Sequence, residues 1–145
     1  PERDVRKSLE LVRRLKQDNP ACEIILYLYT PVPLPGQWDE AERLGMAFPT
    51  DLDGWLAPPW ASFDARRTAS TPWMTSALRS EIYDFEVVLN ARFPTATDRN
   101  LAGWQRKLLR LAAAPRWRSG LTRAPWELKL LQRAWAYRRP EEMGF

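Results

Sequence analysis

Apolar residues at the start of the chain recur at helical intervals. Val5, Leu9, Val12 and Leu15 follow at steps of 4, 3 and 3, with Leu11 beside them, and Arg6, Lys7, Arg13, Arg14 and Lys16 fill the other face. This is the period of an amphipathic helix. Asn19-Pro20 ends it, because the residue before a proline avoids the helical region. The pattern then changes to Glu23-Ile24-Ile25-Leu26-Tyr27-Leu28-Tyr29-Thr30. Read with a period of two, Ile24, Leu26 and Leu28 point one way and Ile25, Tyr27 and Tyr29 the other. Apolar residues on both faces predict a strand buried in a parallel sheet, the second half of a βαβ unit. Such a strand needs hydrogen-bonding neighbours on both edges, and no comparable run follows. Its partners are expected across a dimer or, as the preferred alternative, in the rest of a larger α/β protein.

Further along, Thr30-Pro31-Val32-Pro33-Leu34-Pro35-Gly36 excludes regular structure, since each proline removes a donor and fixes φ. A short helix is predicted from Gln37 to Leu44, closed by Gly45 as a C-cap. Residues 46–72 read as a loop anchored by Trp55 and Trp60. Thr71-Pro72 is read as an N-cap and first turn of a helix carrying Leu78, Ile82, Phe85 and Leu89 inward, with Glu86-Val87-Val88-Leu89 inside its repeat. It ends near Phe93-Pro94. Thr97 or Asp98 caps the next helix, whose inner face is read as Leu101, Trp104, Leu108 and Leu111, with Arg99, Arg106 and Arg110 opposite. Ala114-Pro115 is expected to stop it. Residues 116–124 then form a basic loop, and Pro125 opens a last helix with Leu128, Leu131 and Trp135 along one stripe. The fold class expected is mainly α with one buried strand (α+β), a helix–strand tail of a partial (β/α) barrel followed by a Trp-rich helical C-terminal domain. The divisions are residues 1–36, a Pro/Trp-rich connection over 37–72, and a basic helical region over 73–145.

Composition sharpens this picture in three places. The 145 residues include no His and one Cys, with 8 Trp and 13 Pro. The absence of His removes the commonest general base and metal ligand, and a single cysteine excludes an internal disulfide or a Cys-based zinc site. A reducing, cytoplasmic setting is expected. The chain opens Pro-Glu-Arg-Asp, with no hydrophobic leader or initiator Met, as expected of an excised or processed piece. No apolar run approaches the ~20 residues of a membrane-spanning helix. Charge is segregated: residues 1–98 hold 11 Lys/Arg against 15 Asp/Glu, whereas residues 99–139 hold 11 Lys/Arg against Glu127 alone.

The acidic pairs Asp51/Asp53 and Glu81/Asp84 have general acid–base chemistry in principle, but solvation and helix capping are their ordinary roles. Cys22 reads as a small core residue. In the basic region, Arg106, Lys107, Arg110, Arg116, Arg118, Arg123, Lys129, Arg133, Arg138 and Arg139 alternate with Trp104, Trp117, Trp126 and Trp135. Cations with stacking platforms suit single-stranded nucleic acid or an anionic membrane surface. Placement of the tryptophans on the apolar stripes favours burial instead, with the cations solvated or paired to the acidic first half.

One stretch resembles a known family. Leu15-Lys16-Gln17-Asp18-Asn19-Pro20, then Tyr27-Leu28-Tyr29-Thr30-Pro31 with a Pro-Gly turn, then Trp38, Ala41, Leu44-Gly45, Pro49, Leu52 and Trp55, is similar to radical SAM enzymes of the cobalamin-binding-domain type. These include Fe-S oxidoreductases and the anaerobic magnesium-protoporphyrin monomethyl ester cyclases. The turn carries extra prolines and lacks the family's Thr after Gly36. The resemblance implies a non-catalytic C-terminal portion of an Fe-S oxidoreductase. The parent would cleave S-adenosylmethionine with a 4Fe-4S cluster held upstream on Cys-x-x-x-Cys-x-x-Cys, and cobalamin is a further cofactor of such parents. No catalytic residue, metal ligand or cofactor is then expected in this segment. Its partner would be the upstream domains of the same protein. Barrel strands present functional residues at their C-terminal ends, which makes Tyr29, Thr30 and Pro31 the substrate-cavity candidates, or residues that only shape the strand exit. The alternative is a basic helical module that binds nucleic acid or a protein partner, with peripheral membrane contact also compatible.

Overall fold

A computed structural model describes residues 2–26, 36–57, 60, 71–94 and 101–137. The chain divides into two compact units, residues 1–25 with 77–145, and residues 26–76. Six helices occur among the described residues: α1 (Glu2–Asp18), α2 (Gln37–Arg43), α3 (Leu52–Leu56), α4 (Ser76–Arg92), α5 (Gly103–Ser119) and α6 (Trp126–Ala134).

The larger unit is built around α4, which buries Leu78, Ile82, Phe85, Val87, Val88, Leu89 and Ala91. Its β-branched Val87-Val88 pair sits within the helix, as the repeat predicts. Leu9 and Val12 of α1, Leu109, Ala113 and Trp117 of α5, and Leu128 of α6 complete the core. The Trp117 ring lies 5.9 Å from Phe85 and 5.0 Å, edge-on, from Phe93. Polar links reinforce this packing. The buried Asp84 carboxylate accepts from Ala124 N at 2.7 Å and pairs with Lys129 at 2.6 Å. Arg116 grips Glu127 with both carboxylate oxygens engaged, and its guanidinium also donates to the carbonyls of Leu121, Arg123 and Ala124. One arginine therefore ties the α5–α6 hairpin.

The expected strand does not form over its described half. Cys22–Leu26 is neither helix nor strand, and Ile25 is exposed. No strand occurs among the described residues to supply a ladder. The carbonyls of Pro20 and Cys22 instead accept from the buried Lys16 ammonium. Burial draws the Lys16 pKa down, while Cys22 and Glu23 oppose that shift. The remaining strand positions and the proline turn, Tyr27–Pro35, lie outside the described residues.

In the smaller unit, α2 ends in a Schellman motif: Gly45 N donates to Glu42 O and Met46 N to Ala41 O, both at 2.9 Å. Gly45 takes the required left-handed turn at φ +90°. Asp51 caps α3 by accepting from Gly54 N at 2.7 Å. The predicted anchors Trp55 and Trp60 meet at 4.9 Å and join Phe48, which stacks on Trp38 at 4.0 Å. Trp38 Nε1 donates to Glu42 at 2.9 Å. Aromatic contacts hold this loop-rich unit together.

Two helix boundaries differ from expectation. Thr71-Pro72 does not open α4. Met74 N donates to Thr71 O at 3.0 Å, so Pro72 occupies the second position of a β-turn, where its fixed φ fits as well as in a helix. Pro115 does not stop α5, which continues to Ser119. Pro115 and Leu111 are both exposed, so the interruption lies on the outer side of the helix, which lowers its cost. The Thr97/Asp98 cap lies outside the described residues. At the observed start of α5, Gln105 accepts from Ala102 N at 2.7 Å.

Candidate functional site

Continuation of α5 through Pro115 changes which side of it is inside. The buried residues are Leu109, Ala113 and Trp117, spaced at successive steps of four. Leu101 is buried as predicted, but Trp104 is 64% exposed, Leu108 42% and Leu111 62%. These three, at steps of 4 and 3, form a second apolar stripe on the opposite side of the helix. Pro115 extends it by a further step of four. The predicted inner face is thus largely the outer one.

The following helix has the same arrangement. Leu128 faces the core, Leu131 and Trp135 are half-buried, and Gln132 fills a buried position where its Nε2 donates to Val87 O at 3.5 Å. On the opposite side Trp126 is 67% exposed and Leu130 58%, with Arg133 at the next helical step. Leu121, in the connection between the helices, is also exposed. Trp104 touches Trp135 edge-on at 5.5 Å, joining the start of α5 to the end of α6.

The cations separate into two groups. Arg116 is committed to Glu127 and the loop carbonyls. Arg123 pairs with Glu81 at 3.3 Å and Lys129 with Asp84 at 2.6 Å, which realises part of the expected pairing with the acidic first half. Arg106, Lys107, Arg110, Arg118 and Arg133 have no carboxylate partner among the described residues. Lys107 and Arg118 flank the outward stripe of α5, whereas Arg106 and Arg110 lie nearer its buried stripe, and the helix contains no Asp or Glu. Arg138 and Arg139 lie outside the described residues.

The other sequence candidates fall elsewhere. Glu81 and Asp84 border a cleft of about 380 Å³ lined also by Glu2, Arg6 and Arg123. Arg6 and Arg123 neutralise Glu81, and Lys129 neutralises Asp84. Asp51 is spent on capping α3. Cys22 is half-buried beside the end of α1, with its Sγ 3.9 Å from Leu15 O. Tyr29, Thr30 and Pro31 lie outside the described residues.

With a helix end at Pro115, Trp104, Leu108 and Leu111 form the inward stripe, and Trp117 falls outside the helix. The signal of a second stripe was present in Leu108-Leu109 and in Ala112-Ala113-Ala114. The leucine pair serves two faces, and the alanines allow close packing on the core side. No helix among the described residues is long and apolar enough to cross a membrane. Comparison with protein-family models, with curated proteins and with solved structures finds no match.

Proposed function

We propose that the chain is a non-catalytic binding module whose α5–α6 hairpin rests on an anionic lipid surface. The observation that carries this reading is the outward stripe of Trp104, Leu108 and Leu111, flanked by cations with no carboxylate partner. Interfacial helices combine these features, with apolar side chains entering the headgroup–acyl boundary and Lys/Arg meeting anionic lipid. Tryptophan suits that boundary because one end is apolar and its N–H remains hydrated. The exposed aliphatic residues Leu108, Leu111, Leu121 and Leu130 favour lipid over single-stranded nucleic acid, which uses aromatic platforms and gains little from leucine.

Vesicle co-sedimentation tests the proposal. Binding is expected with phosphatidylserine-containing vesicles and weak with pure phosphatidylcholine, falling as salt rises. A Leu111→Ser/Trp126→Ser variant should remain folded and lose most of the binding, because both side chains are largely in water. Retention by neither vesicle, or tight binding of a single-stranded oligonucleotide that the double variant preserves, would overturn it.

The resemblance to radical SAM enzymes remains a proposal about the parent protein, supported by the residues of the 4–60 stretch. In that setting this chain supplies no cluster ligand, and the upstream domains carry the chemistry. An upstream sequence lacking Cys-x-x-x-Cys-x-x-Cys removes that parentage without affecting the lipid reading.

A further inference from the structure

A cleft of about 380 Å³ lies wholly within the larger unit, where the first turns of α1 and α4 meet the α5–α6 connection. That volume is enough for a small organic molecule. Glu2 and Arg6 come from α1, Glu81 and the buried Asp84 from α4, and Arg123 from the connection. Separate segments thus bring charged side chains to one cavity. Glu81 lies between the two arginines: Arg6 Nε is 3.6 Å from one of its carboxylate oxygens, and Arg123 Nη2 donates to the other at 3.3 Å. Asp84 is committed to Lys129 and to Ala124 N, which ties the connection to α4.

The two arginines are held there with donors to spare. A charge-assisted N–H···O bond is about 2.7–2.9 Å long, and neither arginine comes that close to Glu81. Arg6 reaches Glu2 only at 3.9 Å. Both side chains open to solvent, Arg6 at 57% and Arg123 at 72% exposed. Glu81 can accept about four hydrogen bonds and receives one among the described residues. The charges also balance. With Lys129 set against Asp84, the acids Glu2, Glu81 and Asp84 face the cations Arg6, Arg123 and Lys129. A net anion entering the cleft meets repulsion from Glu81, and a net cation meets two guanidiniums. A compact zwitterion avoids both penalties.

We infer that this cleft binds an α-amino acid through its main-chain zwitterion. The carboxylate takes the unused N–H groups of Arg6 and Arg123, since the planar guanidinium donor set suits a carboxylate. The ammonium, one carbon away, donates to Glu81 between them. Ala77, Leu78 and Ala124 supply an apolar wall for an aliphatic side chain. The serine headgroup of phosphatidylserine carries the same ammonium and carboxylate, so a lipid is a second source of this chemistry. The inference stands apart from the lipid-surface reading, because a free amino acid tests the cleft with no bilayer present.

The test titrates L-leucine into the 145-residue chain, followed by calorimetry and by side-chain ¹H–¹⁵N NMR of the arginine Nε–H groups. Isocaproate lacks the ammonium of leucine, and isoamylamine lacks its carboxylate. The Arg6 and Arg123 resonances should shift and saturate with L-leucine. Each analogue should bind roughly ten- to a hundredfold more weakly, the range for loss of a charged hydrogen bond. Arg123→Gln and Glu81→Gln should each cost a similar factor, with circular dichroism checking the fold. The analogues probe the unaltered chain, so the result does not depend on either variant folding. A second arm compares phosphatidylserine with phosphatidylglycerol vesicles, both of them anionic. A preference for phosphatidylserine that Arg123→Gln abolishes identifies the headgroup as the source, and L-leucine binding without that preference identifies the free amino acid. No saturable response to L-leucine, an equal response to either analogue, or affinity unchanged in both variants overturns the site.

Discussion

Leu109 and Leu111 are two residues apart on one helix, and the structure gives them opposite fates. Leu109 is 1% exposed, in the core beside Ala113 and Trp117, and Leu111 is 62% exposed. Replacing Leu109 with Ala removes a fully buried isobutyl group from a packed site, so both the transfer free energy and the residual cavity count. The expected cost is about 3 kcal/mol, within the roughly 2–5 kcal/mol range for such substitutions. For a unit of this size each kcal/mol moves Tm by roughly 4–8 °C, so a fall of more than about 10 °C is expected. Leu111→Ala loses little burial, and both residues are good helix formers, so its cost should stay within about 0.5 kcal/mol. Urea unfolding followed by far-UV circular dichroism, with thermal melts alongside, measures both. Leu111→Ala as costly as Leu109→Ala would refute the phase assigned to α5, and the outward stripe with it. The same Leu111 variant should lose affinity for anionic vesicles while remaining folded, so one substitution separates stability from binding.

Asp84→Asn should destabilise the larger unit by about 1–3 kcal/mol, because it leaves Lys129 facing an uncharged, buried partner and weakens the bond from Ala124 N; urea midpoints measure this. Ala136 closes α6 at φ +47°, accepting the strain of a left-handed turn while Tyr137 N bonds Gln132 O at 2.8 Å. Ala136→Gly should therefore raise stability by about 1 kcal/mol, read as a higher urea midpoint. The hydrogen bond from Arg116 holds the Glu127 carboxyl below the usual carboxylate pKa. Its stabilising contribution is therefore present above the unfolded-state pKa and is lost as pH falls through the folded-state pKa. Unfolding midpoints across pH should show wild type exceeding Glu127→Gln at neutral pH, with the gap closing in acid.

Local pattern carried much of the architecture. The period of Val5, Leu9 and Val12 and the Asn19-Pro20 ending are enough to specify α1. Gly45 marks the end of α2 because its left-handed turn favours a residue without Cβ. Leu78, Ile82, Phe85 and Leu89 fix the core side of α4, and Pro125 marks the entry to α6. The aromatic anchoring by Trp55 and Trp60 was legible as well, since a proline-rich segment has few other ways to bury surface. These features depend on neighbours within one or two turns, which a sequence displays directly.

Tertiary structure decided what local pattern left degenerate. Helix α5 has two apolar stripes, Trp104/Leu108/Leu111 and Leu109/Ala113/Trp117, and periodicity alone assigns neither to the core. The choice rests on Phe85 of α4 and on Phe93 just past its end, which give Trp117 aromatic partners. That choice in turn requires the helix to pass Pro115, a cost lowered because Leu111 and Pro115 lie on the exposed side. The apolar run after Cys22 has the alternation of a strand, yet a strand exists only where another supplies its ladder. Over the described part, the backbone carbonyls of Pro20 and Cys22 are taken by Lys16 instead. Charge composition, likewise, counts cations without dividing them. Only the fold commits Arg116, Arg123 and Lys129 to acids while leaving Lys107, Arg110 and Arg118 without one among the described residues, because pairing depends on which helices meet.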